Sequence, residues 1–182
     1  MDGMMKSLAG YFRSTHDRVL TSVKVLSEEQ LRWQLNPSTP SIAFHVWHLA
    51  RWADYIQEII NGFGSQLWEQ EGLAARWGLG SVSLGFGETG LGLDDDASMK
   101  LPLPVNDTLL DYAERSFARA NEALDSLDDS QFHQVRPDRY GTYWKEHVLG
   151  SAMLNFLTHV NRHLGMIECL RGALGQRGTA TR

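Results

Sequence analysis

Residues 41–60, SIAFHVWHLARWADYIQEII, decide the fold of this chain. Large apolar and aromatic side chains recur in this stretch around the whole circumference of an α-helix. A helix that is hydrophobic on every side has to be surrounded by other elements. Thr39 or Ser41 supplies an N-cap, and Gly62 follows as a C-terminal stop. The sequence therefore predicts a central helix, the second of the chain, around which the other elements pack.

Three further helices are indicated by apolar residues at steps of three and four, each along one face only. They are expected over about 8–26, from Asn106 or Asp107 to about 127, and from Thr142 to Leu174. No strand pattern is evident between them. Four amphipathic helices without strands predict an all-α fold, a four-helix bundle.

Two glycines, Gly150 and Gly165, fall inside the last predicted helix. Each costs about 1 kcal/mol relative to alanine in a helix interior. We expect the close approach of a neighbouring helix, or room beside a functional site, to compensate.

The connection over residues 62–105 is long and partly irregular. A short helix is expected over 65–77, followed by the glycine-rich stretch 78–92. Residues 85–90, GFGETG, match the dinucleotide fingerprint, but that motif needs a strand before it and a helix after it, and neither is predicted here. Long ordered loops often form the wall or lid of a site. We expect either that role or a plain surface connection.

Length and charge limit the classes of function. With 182 residues, 42% apolar and 21% charged, the chain fits one globular domain, expected over 1–175 with a flexible tail at 176–182. The formal net charge is −5, and no cluster of Lys and Arg forms a basic stripe. We therefore do not expect the protein to bind nucleic acid, because phosphate binding needs a localised basic surface.

Cysteine content and apolar runs bear on the compartment. Cys169 is the single cysteine, so no disulfide forms within the chain, and a reducing compartment is indicated. It lies six residues after His163, about 240° further around the helix. We therefore expect a thiol buried in the core that does not reach the helix face carrying His163. Without a signal peptide or a run of about 20 apolar residues, a cytoplasmic location with no membrane partner is expected.

His159 and His163 lie four residues apart in the last predicted helix. Residues at this spacing stack on one face with Cβ atoms about 5–6 Å apart, so their imidazoles can share one metal ion. The face is otherwise apolar, and an unpaired polar ring buried there costs roughly 1–3 kcal/mol. A metal would satisfy both rings, and so would hydrogen bonds within the core.

His48 is a candidate third ligand, because bundles build metal sites from side chains on facing helices. His45, three residues earlier on nearly the same face, competes with it as a ligand, as a partner of a ligand or as a donor lining the pocket. Three neutral imidazoles suit Zn, Ni, Fe or Cu and leave a coordination position open. His16, His133 and His147 are expected at the surface or in local hydrogen bonds.

Two blocks resemble the DinB/YfiT-like superfamily. Residues 41–52, SIAFHVWHLARW, resemble its second helix, and residues 159–167, HVNRHLGMI, resemble its His-x-x-x-His-x-Gly-x-Ile signature. Helix order and spacing are similar over roughly residues 4–175. The resemblance implies a four-helix bundle that holds a divalent metal.

Carried over residue by residue, the resemblance implies that His48, His159 and His163 are the metal ligands. His45 falls outside the family triad, and Gly165 matches the family's glycine beside the second ligand. The glycine-rich segment 78–92 is longer than in compact members, which leaves the pocket undefined.

Members of this superfamily include S-transferases and isomerases that use low-molecular-weight bacterial thiols. The resemblance thus implies one divalent transition metal (Zn, Ni or Fe), a thiol as cosubstrate and transferase chemistry. A metal holds a thiol as thiolate, the nucleophilic form. A metal-activated water would instead suit a hydrolase, although no Asp or Glu stands beside the histidine pair as a base. Two non-catalytic classes also stay open: a metal or small-molecule binding protein, and a helical dimerisation module.

The expected partner is a small-molecule substrate, and His45, Arg51, Trp52 and Glu88 are the predicted pocket contacts. A homodimer is also expected, because the tryptophans exceed what a bundle core needs and large apolar surfaces mark interfaces. The six are Trp33, Trp47, Trp52, Trp68, Trp77 and Trp144.

Overall fold

Four long helices form the body of the molecule. The structure is a computed structural model that describes residues 3–62, 66–105, 107–141 and 145–178. The long helices are α1 (Met4–Val23), α3 (Ile42–Asn61), α7 (Asp107–Asp125) and α8 (Leu149–Ala173). Short helices lie between them: α2 (Glu28–Arg32), α4 (Leu67–Gln70), α5 (Leu73–Arg76), α6 (Asp95–Met99) and a 3-10 turn at Asp129–Gln131. The all-α bundle is confirmed.

Helix α3 occupies the centre, as its sequence predicts. All residues from Ile42 to Ile60 are buried, and α3 packs against both α7 and α8, which also contact α1. The Ser41 hydroxyl accepts a hydrogen bond from the Phe44 backbone N–H at 3.2 Å, and Gly62 ends the helix in the left-handed conformation. These caps fix the register of α3 and hence the direction of its histidines.

A small hairpin precedes α8 and corrects the expectation of a strand-free chain. Strand β1 (Val135–Pro137) pairs antiparallel with β2 (Glu146–Val148), so the last helix begins at Leu149 and not near Thr142, which lies outside the described residues. Strands of three residues are too short to give a recognisable alternation.

The two glycines of α8 have different surroundings. A Cβ on Gly150 would lie 2.5 Å from the Phe132 ring, so close packing requires glycine there, although the neighbour is a loop residue and not a helix. A Cβ on Gly165 would meet no atom of the neighbouring described residues within 4 Å. Close packing therefore explains the first glycine only.

The connection between α3 and α7 folds into short pieces. The single helix expected over 65–77 is replaced by α4 and α5, because Gly72 between them takes a left-handed conformation (φ 58°); Ser65 lies outside the described residues. The glycines of residues 85–90 form a tight turn closed by a bridge between Phe86 and Leu91. Residues 81–85 before this turn form no strand, and three residues separate the bridge from α6, so this is not the strand–turn–helix of a dinucleotide site.

The tryptophans pack into the core. Trp47, Trp52 and Trp68 are buried, and Trp33 and Trp77 are partly buried against the same core. Trp144 lies outside the described residues. The five described tryptophans thus pack within the chain itself. The homodimer stays a prediction. Among the described helices, none combines the length and hydropathy needed to cross a membrane.

Candidate metal centre

Three histidines meet between α3 and α8. His48 comes from α3, and His159 and His163 come from successive turns of α8. One ring nitrogen from each lies within 4.8 Å of the other two. His48 Nε2 and His159 Nε2 are 3.0 Å apart, close to the roughly 3.4 Å between two nitrogens that share a tetrahedral ion at about 2.1 Å. The structure thus brings together the three residues that the sequence singles out.

A backbone carbonyl fixes the orientation of His48. The imidazole Nδ1–H donates to the Thr89 carbonyl oxygen at 2.5 Å. Because a carbonyl only accepts, the ring proton lies on Nδ1, and the Nε2 lone pair is directed toward His159. Metal-ligating histidines characteristically make such a hydrogen bond through their other nitrogen. The donor set and its support therefore fit a divalent transition metal.

Burial keeps the histidines neutral. Loss of solvation lowers the pKa of His48 to about 3 and that of His159 to about 4, and it lowers the pKa of His163 as well. The positive charge of Arg162 also lowers the pKa of all three histidines. At neutral pH each ring therefore retains a lone pair. His159 Nδ1 is buried and has no hydrogen-bond partner among the described residues.

His45 contacts the triad from outside. Its Nδ1 lies 2.9 Å from His163 Nδ1, so one of the two nitrogens donates to the other. Burial lowers the pKa of His45 to about 4. His45 also lines the adjoining pocket but does not join the three-nitrogen cluster. His45 is therefore placed to orient the His163 ring through this hydrogen bond.

A pocket of about 510 Å³ adjoins the triad. Segments before α3 and between α3 and α7 form its walls, together with one face of α8. The lining residues are Leu35, Ser38, Thr39, Pro40, Phe44, Gly90, Leu91, Gly92, Leu93, Ser98, Arg162, Met166, Cys169 and Leu170, besides the four histidines. Part of the 62–105 connection thus lies in the pocket wall.

Cys169 corrects the expectation of a core thiol, since it is exposed and lines the pocket. Arg162 was not predicted as a pocket residue, because it lies beside the face of α8 that carries the ligands and not on it. Arg162, Met166 and Cys169 are spaced four and three apart, and that spacing is the signal for a neighbouring stripe on the same helix.

Arg51 and Glu88, expected in the pocket, are not among its lining residues. Arg51 is fully buried, and its guanidinium donates to the carbonyl oxygens of Gly87 (3.0 Å) and Glu88 (2.9 Å). The Glu88 carboxylate accepts from the Trp68 indole N–H. Arg51 thus holds the glycine-rich turn against α3, and the Glu88 side chain joins the turn to α4.

Arg51 also pairs with a buried acid. Its Nη1 lies 3.3 Å from Asp54 Oδ2, and its Nη2 donates to Gln66 at 2.7 Å. Trp52, also a predicted pocket contact, is likewise not among the lining residues: it is buried and packs beside the triad with its ring 5.3 Å from that of His159.

The other histidines lie away from the triad. His147 is buried and hydrogen-bonded to Asp138 (2.6 Å), and His16 is buried and hydrogen-bonded to Asn121 (2.8 Å). His133 is exposed. Local hydrogen bonds were expected for such residues, but the burial of His16 and His147 was not.

Comparisons with known proteins agree with the fold. A family model described as the DinB superfamily matches residues 11–167. The crystal structure of a conserved protein from Enterococcus faecalis is similar with a TM-score of 0.72 at 15% identity, covering 97% of this chain and 100% of that chain. At this identity the likeness shows the fold alone. No curated protein matches the sequence.

Proposed function

Because the chain belongs to the DinB superfamily, we propose that it binds one divalent transition metal (Zn, Ni or Fe) through His48, His159 and His163. The observation that carries the proposal is the hydrogen bond from His48 Nδ1 to the Thr89 carbonyl oxygen. It leaves Nε2 unprotonated, 3.0 Å from His159 Nε2. Two ring nitrogens this close are both satisfied when they share a cation.

We further propose that the site serves transfer or isomerisation reactions of a low-molecular-weight thiol. A divalent metal held by three imidazoles would stabilise the thiol as a thiolate at its open position. The protein supplies neutral ligands and a pocket with apolar walls, including Phe44, Leu91 and Leu93.

The composition of the pocket lining favours thiol chemistry over hydrolysis. Among the described residues that line it, none is Asp or Glu. Hydrolysis by an activated water uses a positioned general base, whereas a thiol that binds as thiolate needs none after its proton is lost. Hydrolase activity is therefore the second candidate.

Cobalt substitution tests this function. The protein is loaded with Co²⁺ and titrated with 2-mercaptoethanol, and the visible absorption spectrum is recorded. We expect an intense sulfur-to-cobalt absorption band in wild type and none in His163→Ala. A spectrum that stays unchanged while the metal-loaded protein hydrolyses esters or amides would contradict the proposal. Thiol binding without turnover toward any electrophile would indicate a binding protein.

A further inference from the structure

The pocket beside the triad carries a positive charge that no acid in its lining offsets. Arg162 is the one residue among the described lining residues that is Lys, Arg, Asp or Glu. The chain as a whole has a formal net charge of −5. The pocket is therefore cationic within an anionic protein, and a bound divalent metal would make it more so.

Arg162 is placed to act together with the triad. It lies on α8 one turn after His159 and directly before His163, and its side chain lines the same pocket as all three candidate ligands. Arg13, Arg51, Arg76, Arg115 and Arg139 form ion pairs with carboxylates. Within the described part of the chain, no carboxylate lies within ion-pair distance of Arg162. Its guanidinium can therefore pair with a ligand.

The rest of the lining indicates what the ligand carries besides its charge. Leu91, Leu93, Met166 and Leu170 provide apolar walls, and hydroxyl groups are confined to Ser38, Thr39 and Ser98. A cavity of about 510 Å³ accommodates a small molecule. An acid group joined to a short hydrocarbon chain matches these surroundings.

We propose that the thiol bound at this site carries a carboxylate, which pairs with Arg162 while its sulfur lies at the open position of the metal. This inference rests on the proposed function, because the sulfur is placed by the metal. Guanidinium and carboxylate form charge-assisted hydrogen bonds, often two in parallel. Arg162 thus determines specificity by selecting acids over neutral analogues of the same shape.

Two thiols of matched shape test the inference: 3-mercaptopropionate and 3-mercaptopropionamide. Their dissociation constants are measured by titration of the cobalt-loaded protein, followed by absorption and by calorimetry. We expect wild type to bind the acid about tenfold more tightly than the amide. In Arg162→Gln the ratio should fall to about one, while the amide binds as before. Arg18→Gln removes an exposed arginine on α1 outside this pocket and should leave the ratio unchanged.

Each other outcome overturns a distinct claim. If cobalt does not bind, the proposed function fails, and this inference fails with it. If cobalt binds but wild type does not distinguish the acid from the amide, only the inference fails. If Arg162→Gln still prefers the acid to the amide, the carboxylate binds elsewhere. If Arg18→Gln loses as much of this preference as Arg162→Gln, the preference comes from the net charge of the protein and not from Arg162.

Discussion

His48 Nδ1 lies 2.5 Å from the carbonyl oxygen of Thr89, so a glycine-rich turn and not a carboxylate sets the orientation of this imidazole. The two preceding carbonyl oxygens, those of Gly87 and Glu88, accept hydrogen bonds from Arg51 one turn further along α3. Three consecutive carbonyl groups are thus held by two side chains of one helix. The turn and the candidate ligand therefore position each other.

Replacing Gly90 should disturb this arrangement. A Cβ at this position would lie 2.9 Å from His48 Nδ1 and 3.0 Å from Trp47 Cζ3, with φ at 88°. We expect Gly90→Ala to displace the His48 ring from Thr89 and to weaken metal binding about 10- to 100-fold, the range typical when the support of a ligand is lost. Competition with a chromophoric chelator measures the affinity.

Gly78→Ala is the matched control. Gly78 has a similar φ of 73°, but a Cβ there would meet no described atom within 4 Å. Both variants should lose about 1–2 kcal/mol of unfolding free energy through backbone strain, measured by urea denaturation. Equal metal affinity in the two variants would show that the contact with His48 does not matter.

Arg51→Met should destabilise the protein strongly. The substitution leaves Asp54, which is fully buried, without its cationic partner. It also removes the hydrogen bonds that Arg51 donates to the carbonyl oxygens of Gly87 and Glu88. Breaking a buried pair from one side costs about 3–5 kcal/mol. Arg115→Met breaks a more exposed pair with Glu71 and should cost less than about 1 kcal/mol. Urea denaturation that finds equal losses in the two variants would contradict this account.

Acid should destabilise the metal-free protein. Burial lowers the pKa of His16 from 6.5 to about 4, so between these pH values the unfolded chain binds more protons than the folded one. The free energy of unfolding therefore falls as the pH falls from 6.5 toward 4, by up to about 1.4 kcal/mol per pH unit for each such group. His45, His48, His159 and His163 add to the same trend.

His16→Gln isolates one of these contributions without touching the triad. We expect its unfolding free energy, measured by urea denaturation at several pH values, to fall less steeply than that of wild type over the same interval. His133→Gln, at an exposed position, should follow the wild-type curve. Identical slopes for wild type and His16→Gln would show that His16 is not held neutral.

The sequence predicted what depends on helical periodicity. The all-round apolar pattern of 41–60 located the central helix, and the four-residue spacing placed His159 and His163 on one face. The spacing could not show which hydrogen-bond partners a long side chain reaches when several lie within its range. Arg51 shares a face with His48, yet its guanidinium reaches the turn at 87–88 and not the pocket.

Features that depend on contacts between distant segments were not predictable. The exposure of Cys169 depends on how segments before α3 and between α3 and α7 cover α8. The hairpin of β1 and β2 is stabilised by pairing across eight intervening residues, and its strands have no periodic pattern of their own. His147 is buried because Asp138, on the same hairpin, accepts its hydrogen bond.

Metal content per chain tests the central claim most directly. Purified wild type, loaded with Zn²⁺ and dialysed, should retain one ion per chain by elemental analysis. His48→Ala, His159→Ala and His163→Ala should each lose it, whereas the exposed control His133→Ala should retain it. A wild-type protein that retains no metal, or a set in which His45→Ala loses the ion while His48→Ala keeps it, would contradict the account.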